Sequence, residues 1–123
     1  MALTKVDLSA SVLHLADTAK ATPVPMGEDF WTNMPPILAT GRMVARLPQD
    51  EDWTGWEMHP RGDELILVLS GRIRFHCHGC GDLEAGPGEA VLIPAGVWHT
   101  ADVLEPAEIL CITEGGDSQH RPR

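Results

Sequence analysis

From residue 42 onward, apolar and polar positions alternate in short runs, and almost none repeat with a helical period. Met43-Val44-Ala45-Arg46-Leu47 predicts one strand, ended by Pro48. Residues 53–59 predict the next. A strand sends alternate side chains to opposite faces, so Gly55, Glu57 and His59 form an inward set, while Trp56 and Met58 point outward. Pro60 has no N–H to continue a ladder, and Arg61-Gly62-Asp63 reads as a turn. Glu64 opens a strand that continues as Leu65-Ile66-Leu67-Val68-Leu69, apolar on both faces and therefore covered on both. Ser70-Gly71 predicts a tight hairpin turn. Residues 72–78 alternate cleanly, with Ile73, Phe75 and Cys77 inward and Arg72, Arg74, His76 and His78 outward. Ala90-Val91-Leu92-Ile93 and residues 107–113 predict the last strands. Between them His99, Ala101 and Val103 share a face.

The two ends of the chain behave differently. Ser11-Val12-Leu13-His14-Leu15 predicts a short strand at a sheet edge, with His14 at the surface or an interface. Residues 21–37 hold Pro23, Pro25, Pro35 and Pro36, which exclude a regular helix or a central strand. They predict an extended arm pinned to the rest by Phe30 and Trp31. Residues 115–123 have too little apolar content to pack, which predicts a mobile tail that includes His120. The expected organisation is one domain: an N-terminal strand and arm over 1–41, a barrel over 42–114 and a tail over 115–123. Many short strands between Gly and Pro turns predict an all-β barrel or sandwich.

Composition narrows the partners. A net charge of −9 argues against nucleic acid and against anionic membrane surfaces. No apolar run approaches the roughly 18 residues of a membrane span, and no secretory signal is visible at the start. Three cysteines cannot all pair within one chain, which points to a reducing cytoplasm. Cys77-x2-Cys80 with His76 and His78 invites a zinc site, but the histidines flank Cys77 on the opposite strand face and no second cysteine pair exists. A Gly-rich hairpin tip over 78–82 is the better reading.

The candidate chemistry lies in two stretches. Glu57, His59 and Glu64 head the apolar strand, and Glu64 shares its face with Ile66 and Val68, which places a polar site at the mouth of a dry interior. The second stretch is Gly88-x5-Pro94-Ala95-Gly96-Val97-Trp98-His99, whose turn aims His99 back to the centre. Together they resemble the cupin family, whose motifs are G-x5-H-x-H-x3,4-E-x6-G and G-x5-P-x-G-x2-H-x3-N. His59, Glu64 and Gly71 match the first motif; Gly88, Pro94, Gly96 and His99 match the second. Three positions depart: Glu51 stands for the opening Gly, Glu57 for the first His and Val103 for the final Asn.

The resemblance implies a cupin-type jelly-roll β-barrel with a divalent metal ion (Fe, Mn, Ni or Zn) held by His59, Glu64 and His99, with Glu57 carried over by position only. Two imidazoles and two carboxylates suit such ions and leave positions open to water or substrate. The function it implies is a metal-dependent enzyme of oxygenase, isomerase, lyase or decarboxylase type, acting on a small polar molecule. The alternative is a non-catalytic barrel that binds or senses a small molecule. Outward Trp56, Met58, Leu65, Leu67 and Leu69 and the Pro-rich arm predict a homodimer.

Overall fold

Two long strands, β5 (Glu64–Cys77) and β8 (His99–Thr113), run antiparallel along their whole lengths, from Leu65 opposite Ile112 to Cys77 opposite His99. The computed structural model in which they are seen describes residues 2–123. The other strands are β1 (Ser11–Leu15), β2 (Ala21–Pro25), β3 (Arg42–Gln49), β4 (Gly55–Met58), β6 (Gly81–Ala85), β7 (Ala90–Ile93) and β9 (Gln119–Pro122), with one 3-10 turn at Pro36–Ala39. There is no α-helix among the described residues.

The β5–β8 ribbon folds over in its middle and gives the sheet two leaves. One half of the ribbon pairs with β7 on one side and with β3, β1 and β2 on the other. The other half pairs with β6 on one side and with β4 and β9 on the other. The result is an all-β jelly roll whose sheet stays open at its edges. At the fold the register slips between Val68, Ser70, Arg72 and Ile73. Gly71 has φ +78°, and a side chain there would run into the Pro106 carbonyl and Ala107. Ser70-Gly71 is therefore a bend within one strand, not the hairpin turn its sequence predicts. The strand continues because β8 bends with it and supplies partners on both sides of the corner.

The leaves meet over Ile66, Val68, Ile73, Phe75, Ala101 and Ile109, all 4% exposed or less, so the alternation read from the sequence holds on both leaves. A second buried cluster lies at β1, β2 and β3 of the first leaf, where Phe30 and Leu38 from residues 26–40 bury against Val12, Val24 and Ala45. Pro23 and Pro25 are tolerated because β2 is an edge strand. His14 is 3% exposed, with its Nε2 2.9 Å from the Thr40 carbonyl. The expectation of a surface histidine fails because β1 lies inside the sheet, between β2 and β3.

The C-terminal segment also differs from expectation. Residues 119–122 form β9, which pairs with β4 from Gly55–Pro122 to Met58–Gln119. Apolar content is not what holds it. The Arg121 guanidinium lies 4.3 Å from the Trp98 ring centroid and 5.7 Å from that of Trp56. Arg123 donates to the carbonyls of Trp53 and Ala101 at 3.1 Å and pairs with Asp102 at 2.5 Å. Trp56, predicted to face outward, is covered in this way by its own chain.

Candidate metal centre

Glu57 lies in β4 and His59 directly follows the strand's last residue, Met58; both point into the fold, as period-2 alternation requires. Pro60 comes next and has no N–H to carry the ladder on. Glu64 is the first residue of β5 and enters from the opposite leaf. His99 is the first residue of β8, directly opposite Glu57 in the β4–β8 ladder. All four sequence-predicted residues converge: one ligand atom from each lies within 4.8 Å of the other three. Glu64 Oε1 is 3.1 Å from His99 Nε2 and 3.5 Å from His59 Nε2. Glu57 Oε2 is 3.8 Å from His59 Nε2 and 3.9 Å from His99 Nε2.

The outward atoms of this group are held, and the inward ones are not. His99 Nδ1 lies 3.1 Å from the Val97 carbonyl, which can only accept, so the proton is on Nδ1 and the Nε2 lone pair faces the centre. Ser118 Oγ donates to the Gly115 carbonyl at 3.3 Å, so towards His59 Nδ1, 2.7 Å away, it accepts. This leaves the His59 Nε2 lone pair facing the centre too. Thr113 donates to Glu64 Oε2 at 2.6 Å, and Glu64 Oε1 is turned inward. His59 Nε2, Glu64 Oε1 and His99 Nε2 are buried without a hydrogen-bond partner. Three orphaned polar atoms aimed at one point carry a large desolvation cost unless something sits between them. The donor set fits a divalent ion that takes nitrogen and oxygen ligands.

Electrostatics agree with a cation-ready site. Burial pushes the Glu64 carboxyl pKa up, but contacts with His59, His99 and Thr113 outweigh it and bring it to about 2. Burial disfavours the His99 imidazolium, yet Glu64, the Val97 carbonyl and Glu57 raise its pKa overall. Cys111 also lines the cavity, but burial and the nearby carboxylates raise its thiol pKa well above the ordinary value, so it offers no thiolate.

The centre opens into a cavity of about 880 Å³ walled by Trp31, Met34, Met43, Leu47, Trp53 and Ile109. The sequence reading missed the contribution of residues 115–123: Ser118 holds His59, and His120 Nε2 lies 3.8 Å from Glu57 Oε1. Its signal was the period-2 pattern of the tail, in which Ser118 and His120 alternate with the arginine that stacks outside. The cysteine motif gives no second metal site, because Cys77 and Cys80 are joined across the β5–β6 tip with their Cα atoms 5.2 Å apart. Among the described residues Cys111 is the free cysteine, and it is buried.

Residues 43–113 match the cupin domain family, and the chain belongs to that family. No curated protein matches it. Among solved structures it is similar to a cupin-2 domain protein from Shewanella frigidimarina, with 22% identity over 67% of this chain and 71% of that one and a TM-score of 0.53. It is similar to hydroquinone 1,2-dioxygenase from Sphingomonas sp. TTNP3 bound to 4-hydroxybenzoate, with 17% identity over 61% of this chain and 60% of that one and a TM-score of 0.54. It is also similar to a DMSP lyase from Ruegeria pomeroyi, with 26% identity over 63% of this chain but only 38% of that one and a TM-score of 0.50. No described helix is long and apolar enough to cross a membrane.

Proposed function

We propose that this chain is a metal-dependent cupin enzyme. In this reading Glu57, His59, Glu64 and His99 hold one divalent ion (Fe, Mn, Ni or Zn), and a small polar molecule binds beside it in the cavity. The observation that carries this reading is the convergence of His59 Nε2, Glu64 Oε1 and His99 Nε2, buried and unpaired, with Glu57 alongside. When bound, the ion would supply a Lewis acid or an activator of oxygen. The protein holds its imidazoles in the ligating tautomer, keeps Glu64 ionised and shields the centre with Trp31, Trp53 and the methionines. A bound divalent ion can serve oxygenase, isomerase, lyase or decarboxylase chemistry. Likeness to a dioxygenase and a lyase supports this range.

A non-catalytic binding barrel is the second reading, favoured by the largely apolar walls of the cavity. Elemental analysis of the purified protein, followed by titration with Fe(II), Mn(II), Ni(II) and Zn(II), separates the two. The enzyme reading expects about one ion per chain and spectroscopic change on adding small oxygenated substrates. A protein that takes up none of the four ions sinks it.

The reading includes a homodimer. Leu69 on β5 and Leu92 on β7 are 38% and 71% exposed on the outer face, where Leu65 and Leu67 are half-buried. Light scattering at micromolar concentration should give twice the chain mass, and Leu92→Glu should shift it towards the monomer.

A further inference from the structure

Each inner donor has a group behind it that fixes its angle: Ser118 behind His59, the Val97 carbonyl behind His99 and Thr113 behind Glu64. Glu57 is the exception. Its Oε2 faces the centre, while its Oε1 has His120 Nε2 at 3.8 Å, just beyond hydrogen-bond distance. His120 is the cross-strand partner of Glu57 in the β4–β9 ladder, so the two side chains leave the sheet on the same face, side by side. The Glu57 carboxylate is also one-third exposed, unlike the buried Glu64.

We propose that the C-terminal strand is the outer support of the metal centre. His120 donates to Glu57 Oε1 when the ion draws Oε2 inward, and Ser118 fixes His59. Both are positioning residues that act through a ligand. The inference rests on the metal reading above and adds a determinant that lies outside the cupin match, which ends at residue 113. It also restores an imidazole to the side of the centre where Glu57 replaces the first histidine of the motif. The strand is built to hold this position: Arg121 is stacked against Trp98 and Trp56, and Arg123 is bound to the Trp53 and Ala101 carbonyls. Outer partners of metal ligands set ligand angle and basicity, and their loss costs about 10- to 100-fold in affinity.

The test uses the full chain and Co(II), whose visible absorption reports donor number and geometry. His120→Ala and Ser118→Ala should each weaken Co(II) binding by about 10- to 100-fold and alter the absorption bands. His120→Gln and Ser118→Thr, which keep a polar donor or hydroxyl, should recover most of the affinity. Metal-free unfolding midpoints should stay close to wild type throughout. If wild type binds Co(II) and the alanine variants match it in affinity and spectrum, the proposal fails while the metal reading stands. It fails equally if the conservative variants are as weak as the alanine ones and all lose metal-free stability, since the strand would then be only scaffolding. If wild type binds no Co(II) at all, the metal reading falls and takes this proposal with it.

Discussion

Two clusters of imidazole and carboxylate lie on opposite faces of the second leaf, the inner one completed by Glu64 from the first leaf. On the inner face, His59 and His99 meet Glu57 and Glu64. On the outer face, His76 Nδ1 meets Asp82 at 2.8 Å and its Nε2 meets Asp102 at 2.7 Å, with Arg123 on the far oxygen of Asp102. The residue types are alike, and the bonding is opposite. Every polar atom of the His76 ring is used, whereas the inner rings each keep one nitrogen buried and free. A list of donors therefore does not define a metal site. Unspent lone pairs that converge where water is excluded do.

The sharpest way to break this contrast is to remove a ring from each cluster. His99→Gln, close in volume, should lower metal affinity by more than about 100-fold, beyond the effect of losing an outer partner. His76→Gln should leave metal affinity unchanged. Equal losses in isothermal titration would mean that the two clusters do not differ in kind.

Glu57 offers a smaller effect. Two carboxylates cancel the charge of a divalent ion, and a neutral amide oxygen is a poorer donor than a carboxylate. Glu57→Gln should weaken binding about tenfold, near 1.4 kcal/mol. Glu57→His should keep the ion and move preference towards Ni(II), Cu(II) or Zn(II), because nitrogen donors favour those ions. Competitive metal titration checks both, and identical preferences in all three proteins would remove Glu57 from the ligand set.

Proton competition should be gentler still. A metal needs neutral His99, and this imidazole holds its proton to a higher pH than an ordinary histidine. Affinity should thus begin to fall above pH 6.5 as the solution is acidified, by up to about tenfold per pH unit for one displaced proton. Glu64, ionised down to about pH 2, adds nothing to that fall near neutrality. A flat profile between pH 5 and 8 would contradict the assignment of His99.

The smallest effect belongs to the outer cluster. Asp102 and Asp82 raise the His76 pKa above its ordinary 6.5. Its stabilising charge is present below the unfolded pKa and is lost as pH rises through the higher folded value. Because the pair is partly solvated, the contribution is about 1 kcal/mol or less. Thermal unfolding of wild type and His76→Gln should diverge at pH 6 and converge above the folded pKa. Curves parallel at every pH would show that His76 is not charged in the folded protein.

Much of this was legible in the chain because strands write a period of two. Alternation placed Ile73, Phe75, Glu57 and His59 inward, and spacing through Pro94 and Gly96 brought His99 to them. Illegible features were those where backbone pairing or charge, not apolar burial, does the holding. The tail carries no hydrophobic signal, yet a free edge of β4 and two arginines fix it. His14 looked like an edge residue because its strand is short, but β2 pairs on its other side. Ser70-Gly71 looked like a hairpin turn because a turn and a bend use the same residues.

That bend has a mechanical meaning for the centre. Glu64 starts β5, and His99 lies opposite Cys77, thirteen residues further along the same strand. Laid straight, that length would measure about 43 Å. In the protein the two ends are brought together until Glu64 Oε1 and His99 Nε2 are 3.1 Å apart. The ribbon works as a hoop whose ends carry the ligands, and Gly71 is the crease at which it closes. A bulkier residue there would touch no ligand, yet it would spring the hoop and change the bore into which an ion must fit.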